Sequence, residues 1–480
     1  MKLMIQGTAS DAGKSVAVAA LGRAFARKGL RVAPFKPQNM ALNSAVTKDG
    51  GEIGRSQALQ AMACGVEPLV DMNPVLLKPN SDVGAQVIVQ GKAIGNYQAQ
   101  EYQALKPKLL KQVVESFESL CDSHQLVLAE GAGSPAEINL REGDIANMGF
   151  ALAANCPVVI IADIDKGGVF AQLLGTYQLL STEEQALVKG FIINRFRGDP
   201  SLLESGLDWL TEQTGVPVLG VVPYVQGLQV SAEDAIEQTN ANQGLFRVVV
   251  ATLPRISNHT DFDPLRRHPQ VELVFAAPEQ PLPPADLIII PGSKSVRADL
   301  ASLRKWGWDA QIAKHLRYGG KLMGICGGLQ ILGNSIDDPQ GVEGQPGSSK
   351  GLGYLSIRTK LQADKALEQV SGHLTIGERR AEFEGYEIHA GSSDISEHQP
   401  FLTNGKNEGA VSADNQVIAT YVHGIFDKAE ACQTLLNWAG LDAQRQLDQQ
   451  AHLQTELDRL ADAFEEAIDL EALQQILKAG

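Results

Sequence analysis

Leu3-Met4-Ile5-Gln6-Gly7-Thr8-Ala9-Ser10-Asp11-Ala12-Gly13-Lys14-Ser15 runs from a short apolar segment through a glycine-bounded loop. An Ala- and Leu-rich helical pattern follows, and Gly29 stops it. This is a strand, a tight turn and a helix, the opening half of a βαβ unit. Such a turn suits phosphate, because its backbone N–H groups converge and the helix start adds a favourable dipole. Lys14 is placed to reach the β/γ-phosphates, and the Ser15 hydroxyl to ligate Mg²⁺. Gly7, Thr8 and Gly13 complete the nucleotide loop, with five residues rather than four between the two glycines. An ordinary βα turn that merely contains Gly-Lys-Ser is the competing reading. The strand before and the helix after weigh against it.

Outward from this loop the same alternation repeats. Apolar runs begin at Leu126, Val158, Phe191 and Val218, each short and almost uninterrupted. Strands of that kind are buried on both faces, as in a parallel sheet covered by helices. Residues 232–246 are polar without an apolar period, and the alternation restarts at Val248, Val271, Asp286 and Lys321. The expected fold class is therefore α/β with two doubly wound domains. The first, a P-loop domain, covers 1–232, a linker 233–246, the second domain 247–435 and a helical segment 436–480. In that last segment Leu453, Leu457, Leu460, Phe464 and Ile468 form an amphipathic stripe, expected to pack on the second domain rather than to serve as a partner-binding helix. The Gly- and Ser-rich stretch from Asp338 reads as a surface loop.

Composition removes whole function classes. The 480 residues carry a net charge of −15, which gives no electrostatic support to binding nucleic acid or an anionic membrane. The 44% hydrophobic and 20% charged fractions are those of a folded chain. No apolar run approaches the roughly 20 residues a membrane helix needs. The first residues pass too soon into a loop to be a signal peptide. Cys64, Cys121, Cys156, Cys326 and Cys432 are scattered, forming neither a disulfide framework nor a zinc pattern. The expected location is the cytoplasm.

Around the nucleotide loop, Glu130 ends an apolar strand, where a carboxylate faces the crevice and can hold Mg²⁺. Helix capping is its plainer reading. Lys36 follows another strand and could neutralise charge on a transferring phosphoryl group. Asp163 and Asp165 are weaker candidates, since Asp also caps helices.

A second site is carried by Lys321-Leu322-Met323-Gly324-Ile325-Cys326-Gly327-Gly328-Leu329-Gln330. A strand entering a glycine-flanked turn before a helix is a nucleophile elbow, and a helix start favours the thiolate. A buried structural cysteine is the alternative. Among the nine histidines, His423 ends an apolar strand and precedes Gly424, so it is the expected base. His389 reads as structural or substrate-lining. Gly327 and the turn at Gly292 offer backbone donors to an oxyanion.

The loop spacing resembles the dethiobiotin synthetase-like branch of P-loop proteins, which phosphorylate a carboxylate or carbamate. Ala9 stands where partition-type ATPases carry a second lysine. Asn194 occupies the adenine-facing position of that branch, and Arg195-Phe196-Arg197 lacks the guanine-reading Lys and Asp, so the resemblance implies ATP. Pro291-Gly292, Gly324-Ile325-Cys326-Gly327-Gly328-Leu329-Gln330 and a late His423 resemble a class I glutamine amidotransferase. That family's Glu two residues after the His is here Ile425, so the third triad member is missing or comes from elsewhere.

Both domains together, with Phe35-Lys36-Pro37-Gln38-Asn39-Met40-Ala41-Leu42-Asn43-Ser44, Gly54-Arg55-Ser56-Gln57-Ala58 and Asn73-Pro74-Val75-Leu76-Leu77-Lys78-Pro79, resemble the cobyrinate-amidating family. A sister branch has a Gly-Pro-Asp type sequence after its lysine, where this chain has Pro37-Gln38-Asn39. The resemblance implies a cytoplasmic ligase of cobalamin biosynthesis that uses ATP, Mg²⁺, glutamine and a corrinoid. It would amidate the b, d, e and g carboxylates of adenosylcobyrinic acid a,c-diamide to give adenosylcobyric acid. The implied partners are small molecules, with no nucleic acid or membrane, and an oligomer stays open. Two other readings stand beside it: a P-loop ATPase switch with a degenerate amidotransferase domain, and an amidoligase acting on another polycarboxylate.

Overall fold

Uninterrupted apolar runs make the strands of two six-stranded sheets. In the computed structural model, residues 1–79, 84–229, 246–395, 400–403, 407–445 and 448–479 are described, in two compact units. The expected linker lies outside the described residues except for Phe246, which begins a strand.

The first unit contains Met1–Ala41, Thr47–Ser231 and Leu453–Gly480. Its main sheet runs in the order Val218–Pro223, Val188–Phe196, Val158–Asp163, Lys2–Gly7, Leu126–Glu130, Val32–Phe35. All five pairings are parallel. Strand order reverses at Lys2–Gly7, which opens a crevice at its carboxyl end, and the glycine-bounded loop sits there. Val158–Asp163 is buried throughout, as its unbroken apolar run requires. Phe35, Phe117 and Phe150 close the core beneath, with ring centroids 5.0–5.4 Å apart. A smaller sheet of Gln38–Met40, Val75–Pro79, Gly84–Val89 and Lys92–Gln98 was not foreseen from the sequence.

The C-terminal stripe corrects an expectation. Leu457, Leu460, Phe464 and Ile468 pack with Leu3, Ile5, Leu21 and Phe25 of the first unit, not with the second. Arg23 and Arg27 reinforce the placement through Asp458 and Asp462. These pairs are partly exposed and contribute little, so apolar burial decides the packing. The boundary expected at 435/436 also falls inside the helix Ala429–Ala439.

The second unit contains Leu42–Val46 and Ala232–His452. Its sheet runs Val271–Ala276, Phe246–Ala251, Leu287–Ile290, Lys321–Ile325, Val417–Thr420, Ala410–Val411. Only the edge strand Ala410–Val411 is antiparallel. The carboxyl ends of the three strands from Leu287, Lys321 and Val417 lead to Gly292, Cys326 and His423. A long hairpin, Arg358–Ile376 with Arg379–Asp394, belongs to a separate sheet that also takes in Val422–His423. Part of the stretch read as a surface loop is ordered: Gly347–Lys350 pairs with Ser335–Asp338.

Candidate functional site

In the first unit the loop's geometry follows from its glycine. Gly13 has φ 102°, and a Cβ there would lie 2.1 Å from the Asn194 amide nitrogen. No other residue fits both demands. Asn194 Nδ2 donates to Ala12 O at 3.1 Å, which fixes the loop against the strand Val188–Phe196. Thr8 Oγ1 donates to Gln172 Oε1 at 3.1 Å, and Gly7 closes the strand. Lys14 Nζ folds over the loop, donating to Ala9 O at 2.9 Å and Gly133 O at 3.0 Å.

Glu130 is the hub. It is fully buried, and its Oε1 accepts from Ser15 Oγ at 2.7 Å and from Lys36 Nζ at 2.9 Å. Its Oε2 accepts from Gln60 Nε2 at 2.6 Å. Its partners are side chains from two helices, Lys14–Arg27 and Arg55–Cys64, and from Lys36 just after the strand Val32–Phe35, which is not the pattern of a helix cap. The bond sets the Ser15 hydroxyl beside a Glu130 oxygen, two oxygen donors of the kind Mg²⁺ takes. The described residues hold no group of three or more His, Cys, Asp or Glu able to bind a metal. A cation here would complete its shell with phosphate oxygens and water, as Mg²⁺ does. Asp163 and Asp165 have other work, pairing with Arg195 and Arg197 at 2.8 Å each. Gln60 is a residue that sequence reasoning passed over. Its only signal was its place in the helix after Gly54-Arg55-Ser56-Gln57.

In the second unit Cys326 sits at φ 52° and ψ −107°, a conformation that costs of order 1–3 kcal/mol for a residue with a Cβ. Its N–H donates to Thr420 O at 2.8 Å, and its Sγ reaches Ile388 O at 3.4 Å. His423 is fully buried, and Cys326 is among the groups that act on its charge. Glu408, buried and accepting from Thr420 Oγ1 and Tyr421 N, pins the chain just before it. Gly292 is needed for space, since a Cβ there would stand 2.9 Å from His423 Cε1. A Cβ on Gly327 would lie 2.9 Å from Ser293 N, so Gly292 borders the imidazole and Gly327 borders the Gly292–Ser293 turn. Ser293 is held by Asp299, whose Oδ2 accepts from its Oγ at 2.6 Å. His389 lies beside the site, stacked on Tyr421 at 3.7 Å and paired with Glu387.

Asp261 stands beside the imidazole, where a third member would be needed. Its Oδ2 lies 2.6 Å from His423 Nδ1, and its Oδ1 accepts from Gly424 N at 3.0 Å. Burial pushes the imidazolium down, but the Asp261 carboxylate and the charge on Cys326 outweigh it and raise His423 to about 10.

Two sequence families match most of the chain. Residues 3–236 match the CobQ/CobB/MinD/ParA nucleotide binding domain, and residues 247–431 the CobB/CobQ-like glutamine amidotransferase domain. A cobyric acid synthase from Photobacterium profundum is 60% identical over 475 residues, 98% of this chain and 96% of that protein. Among solved structures, a glutamine amidotransferase aligns with 40% of this chain and 99% of its own at 20% identity and TM-score 0.33. MinD cell division protein from Aquifex aeolicus aligns with 47% of this chain and 84% of its own at 12% identity and TM-score 0.29.

Proposed function

The chain belongs to the cobyric acid synthase family, and from that membership we propose how its two units divide one glutamine-dependent ligation in cobalamin biosynthesis. The substrate is adenosylcobyrinic acid a,c-diamide, amidated at its b, d, e and g carboxylates. The reading is supported by one observation above all: each unit carries a complete set of groups for one half-reaction.

In the first unit the loop from Gly7 to Gly13 cradles the ATP phosphates, with Lys14 on the β/γ oxygens and Asn194 beside the base. Ser15 Oγ and Glu130 Oε1 would hold Mg²⁺, which when bound draws charge off the phosphates. A corrinoid carboxylate oxygen attacks the γ-phosphorus, the bond to the bridging oxygen breaks, and ADP leaves. Lys36 neutralises the transferring group. Ammonia then attacks the acyl phosphate carbon, loses a proton, and expels phosphate to leave the amide.

In the second unit His423 Nε2 takes the Cys326 thiol proton as Sγ adds to the side-chain amide carbon of glutamine. The oxyanion is received by backbone N–H groups of Gly327 and the Gly292–Ser293 turn. His423 passes its Nε2 proton to the departing nitrogen, ammonia leaves, and a thioester remains. Water, deprotonated by His423, attacks that thioester and releases glutamate and the thiolate. Asp261 keeps the imidazole aimed throughout. A degenerate amidotransferase domain acting as a mere binding module would have no use for this aligned set.

Lys14→Ala tests the assignment. It should abolish amide formation with glutamine and with ammonium alike, while a glutamine analogue still labels Cys326. Retained synthesis with ammonium would overturn the nucleotide site.

A further inference from the structure

The second unit includes a short segment drawn from the N-terminal part of the chain. Leu42–Val46 lies within that unit, while the residues on either side of it belong to the first. Its contacts fall on immediate neighbours of the thiol and imidazole. Ser44 N–H donates to Asn258 Oδ1 at 2.9 Å, and this fixes the Asn258 amide so that Nδ2 faces His423 Nε2 at 3.3 Å. Asn43 grips the adjacent residue at two points: its Nδ2 lies 2.9 Å from His259 Nε2, and its Oδ1 accepts from His259 N at 3.2 Å. Val46 O accepts from Gln369 Nε2 at 2.8 Å. The Val46 side chain is buried with Tyr386 and Ile388. Tyr386 stacks on His423 with centroids 5.4 Å apart, and Ile388 O receives the thiol.

Asn258 therefore has a chemical consequence for its neighbour. An amide N–H can bond only to an Nε2 that carries a lone pair, so this contact favours the neutral imidazole with its proton on Nδ1, toward Asp261. That is the form that deprotonates water in the second half of glutamine hydrolysis. Asn258 holds its place at φ 54°, a left-handed conformation that Asn tolerates and that the flanking bonds from Asn43 and Ser44 stabilise.

We propose that Asn43, Ser44 and Asn258 are positioning residues for His423, so that glutamine hydrolysis depends on Leu42–Val46, a segment from the N-terminal part of the chain. The proposal rests on the glutaminase reading given above. The Asn43–Ser44 segment sets the amide of Asn258, and that amide sets the tautomer and aim of the base. Removing the segment's grip leaves the thiol intact and misplaces its partner.

The test uses the full-length enzyme and measures glutamine hydrolysis against pH, ammonium-dependent amide formation and melting temperature for two variants. Asn43→Ala removes the two-point grip on His259 and should lower glutaminase kcat by about tenfold or more, with KM little changed. Asn258→Asp keeps the acceptor for Ser44 N–H but sets a carboxylate against Nε2. It should capture the imidazolium and move the alkaline limb of the profile upward. In both, ammonium-dependent synthesis should stay within about twofold of wild type, the margin expected for a site left untouched. Wild-type glutaminase rate and pH profile in both folded variants would overturn the proposal. So would equal loss of glutaminase and ammonium-dependent synthesis at an unchanged melting temperature. Cys326→Ser is run alongside: if it still hydrolyses glutamine, the glutaminase reading itself fails, whatever the two variants do.

Discussion

Burial opposes the charge on His423, and the 2.6 Å contact with Asp261 restores it. Asp261→Asn should therefore lower glutamine hydrolysis by about 10²–10⁴-fold, the scale seen when an orienting carboxylate is lost, and spare synthesis from ammonium. The same pair makes stability depend on pH. A histidine held at about 10 when folded, against about 6.5 unfolded, contributes stability that is full below the lower value. That contribution is lost as pH rises through the upper value. Melting temperatures measured from pH 6 to 10.5 should fall more steeply for the wild type than for Asp261→Asn. At this scale Cys326, His423, Lys14, Ser15 and Glu130 were legible, because each ends a strand or opens a helix inside a glycine-marked turn. Asp261 was not. It lies 162 positions from His423, in Asn258-His259-Thr260-Asp261, a polar run that reads as loop although all four are buried.

Elements reveal how far a pattern reaches. Apolar runs located the parallel strands because burial on both faces leaves no alternation to misread. The hairpin Arg358–Ile376 with Arg379–Asp394 escaped notice, since its many exposed charged positions hide the period. The C-terminal helix exposes a different limit. A stripe at i, i+4, i+7 says that one face is covered and nothing about what covers it. Here the cover is the first unit, so Phe464→Ala, which empties a site only 1% exposed, should destabilise that unit by about 3–5 kcal/mol. Urea unfolding followed by nucleotide-analogue binding would measure it. A loss confined to glutaminase activity would place the helix elsewhere.

For the whole molecule, glycine-marked turns pointed to an enzyme acting on small molecules, and membership of the cobyric acid synthase family agrees with that. Chain order alone could not reveal that Leu42–Val46 belongs with the second unit, because its residues are flanked on both sides by sequence of the first. The central claim is a division of labour: one unit activates a carboxylate and the other supplies nitrogen. The most direct measurement is the product mass formed by Cys326→Ala from the a,c-diamide and ATP, with glutamine or with ammonium. The account predicts no amides gained with glutamine and the full complement with ammonium. Amides formed from glutamine by this variant, or none formed from either donor by a folded protein, would contradict it.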